Sequence, residues 1–495
     1  MKKITLILFT LISCYAINAQ TVSIVGTSYS TITEAITAAS DGDIISITGI
    51  HTESLTIQKS ITLRGTDPTT DIIQAAGTAS SDGTGTRVIS VSRLATEDLN
   101  VTIENLGIRH GNGSGNGGGI NADKVTGLLT LHNLIIENNH AATNGGGLSF
   151  AGTNATILEC TIQTNTSTLD GGGIIAAPNN GVTINNVVTI QQSLIDSNTG
   201  RNGGGIYING NNGFGDDHKI DINIENSTIS NNIANSGTDA SGGGAIWSKV
   251  AVWVGNATGN INLSFMHATL YNNSHTSAGK NGYQSTGSSN TNFSAYNSII
   301  VTADDITQKA VNFAKTSTSN VVNCILGGLN SAPSAIIDDV TKNNQKGKTA
   351  VQAGIAGSLT DEGGKTQVLA IADASNAVDF CTATITGVSL PNIDQRGATR
   401  TGTPDAGAFE LGGTLNTNNY EFAASISVYP NPAKNIVNIS GIENIEAIEV
   451  YSVLGKLVKK VTNQNTVSVH NLSKGIYLMS IKKENNTVTK QLIVE

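Results

Sequence analysis

The sequence predicts an all-β chain: a solenoid of short strands opened by one amphipathic helix, followed by a small β-sandwich. Three observations carry this expectation. A strand-like text of about ten positions recurs through the middle of the chain; its 495 residues hold 55 glycines but only 7 prolines, 4% aromatic and 13% charged residues; and both charge and pattern change near residue 424. Ordinary domains are about one-quarter charged, so a layered core beneath a salt-bridged surface does not fit this composition. Lys+Arg 28 against Asp+Glu 37 gives −9, which leaves no basic footprint for nucleic acid or an anionic membrane.

Residues 1–19 read as a signal peptide: Lys2 and Lys3, an apolar run Ile4 to Ile12, then Ile17-Asn18-Ala19 before Gln20. A run of roughly nine apolar residues cannot cross a bilayer that needs about twenty. Leu11-Ile12-Ser13-Cys14 also fits a lipoprotein box with lipid on Cys14. No transmembrane segment is expected in the mature chain. Its cysteines, Cys160, Cys324 and Cys381, are odd in number and widely spaced, so they form no disulfide framework.

The first element is a helix. Thr31-Ile32-Thr33-Glu34 is a capping box, and Ile32, Ala35, Ile36 and Ala39 share one face before Asp41-Gly42. Such a helix covers the first rung, whose open edge would otherwise pair with another chain. Opening turns follow at Asp43 to Ile47, Ser54 to Ile57, Lys59 to Gly65 and Asp71 to Ile73.

The repeats come next. Ile108, Ile136, Ile162, Ile195, Ile229, Leu270, Ile300 and Leu326 align as anchors at spacings of 26 to 41 residues. Five positions before each anchor the residue is apolar (Ile103 to Val321), and one step earlier it is polar (Thr102, Thr130, Thr156, Thr189, Asn223, Ser264, Ser294, Asn320). Alternation of period two marks a strand with one buried face. Two polar columns flank the anchor. Three before it stand Asn105, Asn133, Glu159, Gln192, Asn226, His267, Asn297 and Asn323; three after it stand Asn139, Asn165, Asn198, Asn232 and Asn273. Asparagine tolerates left-handed backbone and bonds nearby backbone groups, so both columns read as corners, the second as a structural ladder. Two before the anchor, Cys160, Ser193, Ser227, Ala268, Ser298 and Cys324 read as small inward residues. Gly-Gly-Gly at 117–119, 145–147, 171–173, 203–205 and 242–244 lets neighbouring turns approach closely. One supersecondary unit per 25 to 40 residues describes a β-solenoid.

The opening turns resemble right-handed parallel β-helix proteins, and Ser230-Asn231-Asn232 with Gly243-Gly244-Ala245-Ile246 resembles the repeats of polymorphic outer-membrane proteins. That resemblance spans about 22–330 and implies the fold rather than a function. Asn392-Ile393-Asp394-Gln395-Arg396-Gly397 through Arg400 to Asp405-Ala406-Gly407-Ala408-Phe409-Glu410 is similar to a segment that closes the β-helix of surface proteins with various C-terminal anchors. Its arginines and carboxylates are expected to tie down the last rung and cap its edge.

Residues 424–495 hold eight lysines and five glutamates, hence 8 − 5 = +3 against −12 for the rest of the chain. Strands alternate at 426–429, 436–439, 447–451 and 476–481, as in a small sandwich. Tyr429-Pro430-Asn431-Pro432, Leu454-Gly455-Lys456, Leu472-Ser473-Lys474-Gly475-Ile476-Tyr477 and the ending Lys490 to Glu495 together resemble the type A C-terminal sorting domain of the type IX secretion system. The resemblance implies export by the signal peptide, recognition by the type IX machinery, and delivery to the surface of a Gram-negative cell or release from it. The expected boundaries are a signal peptide at 1–19, the β-helix at 20–411 with its closing segment at 375–411, a linker at 412–424 and the sorting domain at 425–495.

Catalytic chemistry was sought among β-helix polysaccharide enzymes. Galacturonan hydrolases of this fold resemble one another in successive Asn-x-Asp, Gly-Asp-Asp, Gly-His-Gly and Arg-x-Lys motifs. The chain has Gly215-Asp216-Asp217-His218-Lys219 but lacks the rest, and Arg109-His110-Gly111 precedes the acid pair. A lyase needs a Lys or Arg base and a group that neutralises the uronate carboxylate; Arg201, Lys219 and Lys249 are the candidates. Apart from a loose His132/His140 pair, the histidines stand singly, and no metal or other cofactor is expected. Trp247 and Trp253, with Tyr207, Phe214 and Tyr271, are read as exposed aromatics and offer either a sugar-stacking platform or ordinary packing. The leading expectation is a non-catalytic binding or adhesion module for glycans or cell-surface ligands. The alternative is a polysaccharide lyase or glycoside hydrolase acting on acidic glycans, and a third reading is a structural spacer.

Overall fold

The structure, a computed structural model, describes residues 20–93, 98–179, 186–210, 219–236, 242–250, 260–276, 282–287, 291–302, 309–312, 316–330, 340–355, 357–415, 426–442, 445–452, 457–483 and 486–494. The signal segment 1–19 lies outside them. The chain divides into two compact units, 1–413 and 414–495.

In the first unit six successive rungs pass through four strands among the described residues. In the rung that begins at Asn100 these are Asn100–Glu104, Gly107–Arg109, Asn112–Gly113 and Ile120–Asp123. Equivalent strands pair in parallel from rung to rung, giving four sheets, called here the first to the fourth in that order. Among the described residues they hold 12, 10, 6 and 10 strands. Parallel strands joined by crossovers take the right-handed sense, and the unit is a right-handed parallel β-helix. All eight anchors stand in register in the second sheet, Ile108 opposite Ile136, Ile136 opposite Ile162, and on to Leu326. Their side chains meet those of the first sheet, such as Ile103, Leu131 and Ile157, in one continuous core. Longer repeats place extra residues between the fourth sheet and the next first-sheet strand, three at 152–154 against nine at 210–218, and the longest also between the third and fourth sheets, five at 201–205 against eleven at 235–245.

The two corner columns differ. Every residue three before an anchor has left-handed backbone, including Glu159 (φ 54) and Gln192 (φ 49). After the anchor, the left-handed residue is His110, Asn138, Thr164, Ser197, Asn231 or Asn272, one position earlier than the expected asparagines. The asparagines behind it turn their side chains into the molecule. Asn198 Oδ1 accepts from Asn165 N and Nδ2 at 3.0 Å each, while Asn198 Nδ2 donates to Ile162 O (2.9 Å) and Asn232 Oδ1 (2.9 Å). The same bonds link Asn139 to Asn165 and Asn232 to Asn273. A buried backbone group that the rung cannot pair is thereby satisfied by an amide. The small column works in the same way: Cys160 N donates to Ser193 Oγ and Ser193 N to Ser227 Oγ, both at 3.1 Å. Burial pushes the Cys160 and Cys324 thiols up to about 12, so both are inert packing residues.

Glycine is required where rungs touch. A Cβ on Gly146 would lie 2.2 Å from Thr166 O, and one on Gly147 would lie 2.9 Å from Gly173 O. Register places Ala245 opposite Gly205, so the last triplet is offset by one residue.

The expected helix caps the core at the first end, where a hairpin is added to it, and the other end is closed differently from expectation. The helix Ile32–Ala38 buries Ile32, Ala35 and Ile36, and Thr31 Oγ1 accepts from Glu34 N at 3.0 Å. Glu34 returns its bond to Ser30 N, and Glu53 caps Ile32 N and Thr33 N. The first sheet edge, however, is covered by the hairpin Thr21–Ile24/Thr27–Tyr29, which pairs antiparallel with Ile44–Thr48. A helix offers only side chains; a strand supplies the backbone partners that an edge lacks.

At the other end the last rung is continued by residues 342–348, with Asn323 N donating to Lys342 O and Leu326 N to Gln345 O. The segment 350–411 does not cap that rung. It runs back along the outside, packing Ile355, Val368, Leu369, Ile371 and Phe409 over Ile299, Val301 and Ile325 of the second sheet. Its polar groups bind the left-handed corner: Thr366 to Gln192 O, Arg400 to Asn226, and Thr382 to Asn297 and Asn323. On the last rungs the strap covers apolar Ile299 and Ile325, and on the rungs before them it is held by the hydroxyls of Thr228 and Thr269.

The second unit is antiparallel. A three-stranded sheet (Ser427–Tyr429, Ile436–Ser440, Thr466–Ser468) and a four-stranded sheet (Ala447–Ser452, Leu457–Thr462, Gly475–Lys483, Asn486–Val494) enclose a core of Val437, Ile439, Val467, Ile448, Met479 and Ile481.

Candidate functional site

On the first sheet, the positions that alternate with the core point outward. Late in the β-helix these are Asn262, Ser264 and Met266, then Asn292, Ser294 and Tyr296 on the next rung, with Glu225 before them and Asn320 after. A turn at 387–391, closed by a bridge between Ile385 and Val388, stands over them. Between the turn and the sheet lies a hollow of about 470 Å³ lined by Glu225, Ser264, Met266, Ser294 and Tyr296. A second hollow of about 300 Å³, lined by Asn262, Asn292 and Asn320, shares Ser264 and Ser294 with it. Together they form a groove across four rungs, about 14 Å long at ~4.8 Å per rung.

The polar part of the groove is mainly amides and hydroxyls, beside apolar groups from Leu263, Met266, Phe293 and Leu390. Asn292 Nδ2 donates to Asn262 Oδ1 (2.8 Å) and Asn262 Nδ2 to Asp221 Oδ1 (2.6 Å), so the amides are held in one row. Asn320 Nδ2 donates to the Tyr296 hydroxyl at 3.0 Å, and Gln191 Nε2 to Glu225 Oε2 at 2.8 Å. Among the described residues, neither hollow is lined by a Lys or Arg. Lys219 stands on the outer face of the same strand as Asp221 and Glu225, two and six positions away, or about 7 and 20 Å along it.

Asp216, Asp217 and His218 lie outside the described residues, as do Phe214 and Trp253. Arg201 makes a two-pronged bond to Asp170, Nε to Oδ1 at 3.0 Å and Nη2 to Oδ2 at 2.9 Å. Lys249 sits on a different sheet with its ammonium 5.5 Å from the Trp247 ring centre. Trp247 and Tyr207, read as exposed, are 3% and 5% exposed. Their rings stack at 4.6 Å against Ile175, a ladder on the outside of the fourth sheet. Tyr271 packs beneath the closing segment. His132 and His140 face different partners: His132 lies between Glu104 (3.7 Å) and Glu159 (3.2 Å), and His140 Nδ1 meets Thr166 Oγ1 at 2.8 Å. Glu104 and then Glu159 raise the His132 imidazole to about 9. Among the described residues, no three His, Cys, Asp or Glu gather as a metal site.

The charged motif of the strap is interior. Arg396 pairs with Asp394 at 2.7 Å and stacks over Phe409 at 4.0 Å; Arg400 pairs with Glu410 at 3.0 Å and donates to Gly407 O and Asn226 Oδ1. Burial raises the Glu410 carboxyl above its ordinary value, and burial together with Arg400 holds His267 well below its own. The polar outward column was visible in the sequence. That residues 387–391 would wall it was not, because nothing periodic links that turn to the rungs it covers.

In the second unit, Asn431 Oδ1 accepts from Ile493 N (2.7 Å), tying the Tyr429-Pro430-Asn431-Pro432 segment to the final strand. Tyr477 belongs to the core and its hydroxyl donates to Ser473 O at 2.8 Å. Gly475 opens the strand that carries it; Gly455 and Lys456 lie outside the described residues. Glu449 is held at about 2 by Lys460, Lys482 and Tyr451.

No described helix is long and apolar enough to cross a membrane. No curated protein matches the chain. Among solved structures it is similar to a crystal structure of pectate lyase Pel9A, at 14% identity and a TM-score of 0.39, over 77% of this chain and 90% of that one. Residues 427–495 match the secretion system C-terminal sorting domain, and the chain is a type IX export substrate carried across the outer membrane to the cell surface or the medium.

Proposed function

We propose that the β-helix is a non-catalytic binding or adhesion module that the sorting domain delivers to the cell surface, where it engages glycans or other surface ligands. The observation that carries this reading is how the charged side chains are used. Arg201, Arg396 and Arg400 each hold a carboxylate, and His132 lies between two. The groove, by contrast, presents hydroxyls, amides and apolar groups with the single carboxylate of Glu225 among its described lining residues. Acid–base catalysis needs titratable groups converging on one bond, whereas recognition of a hydroxylated polymer needs aligned donors and acceptors. The test is turnover by the full-length chain on a panel of acidic and neutral polysaccharides. The expected result is no new reducing ends and no unsaturated uronate; clear release of either favours a lyase or hydrolase instead.

A further inference from the structure

We infer that the groove beneath 387–391 takes an uncharged carbohydrate chain rather than an acidic one; this rests on the binding reading above. The charge of the lining decides the class. Glu225 is part of the wall, and Asp221 lies at the end of the Asn292–Asn262 amide row. Among the described residues, neither hollow is lined by a Lys or Arg to meet a uronate or sulfate. Bringing a polyanion onto that wall would set like charges against one another without compensation, and such juxtaposition discriminates against a ligand.

What the groove does offer suits sugar hydroxyls. Ser264 and Ser294 repeat at the rung spacing in the floor, and the amide row runs beside them in a line fixed by its own hydrogen bonds. Met266, half-buried, gives the floor an apolar strip on which the C–H face of a ring can rest. Pre-aligned polar groups lose little entropy on binding. The groove is open along the solenoid axis because the same outward positions continue on neighbouring rungs, so its natural occupant is a chain segment rather than a single sugar.

The experiment is calorimetric titration of the full-length chain with hexasaccharides of β-glucan, xylan and mannan, and with hexagalacturonate. At least one neutral oligosaccharide is expected to bind at least about tenfold more tightly than hexagalacturonate. Ser264→Tyr and Ser294→Tyr, which fill the floor, are expected to weaken it by a similar factor with the circular dichroism spectrum unchanged. Glu225→Lys, at the rim, is expected to raise hexagalacturonate affinity and serves if the tyrosine variants do not fold. Hexagalacturonate binding as tightly as the neutral chains, and lost in the tyrosine variants, overturns the class while leaving a binding module. Neutral binding untouched by every groove variant overturns the site, absence of binding by all the probes overturns the carbohydrate assignment while leaving a module for another surface ligand, and cleavage overturns the non-catalytic reading.

Discussion

Six rungs of the β-helix turn twice on a left-handed residue beside the second sheet, and the two corners follow different rules. Behind the corner after the anchor stands a buried asparagine in five successive rungs, each bonded to a backbone carbonyl and the first four also to the next asparagine. At the corner before the anchor, Asn, Glu, Gln and His all occur. The difference lies in what the side chain must bond, since residues at both corners are largely buried. Where a side chain must satisfy interior backbone groups, only a short amide has a donor and acceptor at the right reach. Where only the backbone angle matters, the side chain is open to other uses. In the rungs from Gln192 onward that use is to seat the strap; in the earlier rungs Glu159 reaches His132 instead.

The largest expected effect is at the strap's seat. Arg400→Met leaves Glu410 buried without its partner, at a cost of about 3–5 kcal/mol. Hydrogen exchange should show residues 366–410 opening while the early rungs stay protected. A loss under about 1 kcal/mol would mean that the corner is not what holds the strap.

Asn198→Ala is expected to cost about 3 kcal/mol, since it orphans Asn165 N, Asn165 Nδ2 and Ile162 O in the interior. Gln192→Asn, at the tolerant corner, should stay within about 0.5 kcal/mol. Thermal unfolding of the two variants measures the contrast directly, and equal losses would abolish it.

The smallest effect concerns His132. Its folded value of about 9 lies above the ordinary 6.5, so the charged form is favoured by folding. The resulting stability is present in full below pH 6.5 and disappears as pH rises through about 9. The ring is partly exposed, which limits the contribution to about 1 kcal/mol. The melting temperatures of the native chain and His132→Gln should therefore differ at pH 6 and converge above pH 9.5; a gap independent of pH would assign the loss to packing.

Much of the rung was legible in the sequence because its determinants are local and repeated. The anchors, the alternating first-sheet strand and the close-contact glycines stand in the aligned text, and the structure places the aligned anchors opposite one another. The position of the left-handed residue was misplaced by one, since asparagine signals both a left-handed backbone and a side-chain acceptor, and in this corner the two tasks fall to adjacent residues. The hairpin at the first edge was missed because 21–29 is short and lies outside the repeat.

By itself the sequence determined the stack: a period-two strand and a recurring corner leave few alternatives to parallel turns in register, and the C-terminal motifs fixed the route of export. Only the tertiary structure decided what covers the stack. Thr228 meets Gln395 and Asn226 meets Arg400 across 167 and 174 residues. Such contacts have no period to betray them, and they arise because an apolar outer face on the late rungs must be buried by whatever chain remains. The same folding back brings 387–391 over the polar first sheet, turning an open row of serines and asparagines into a groove.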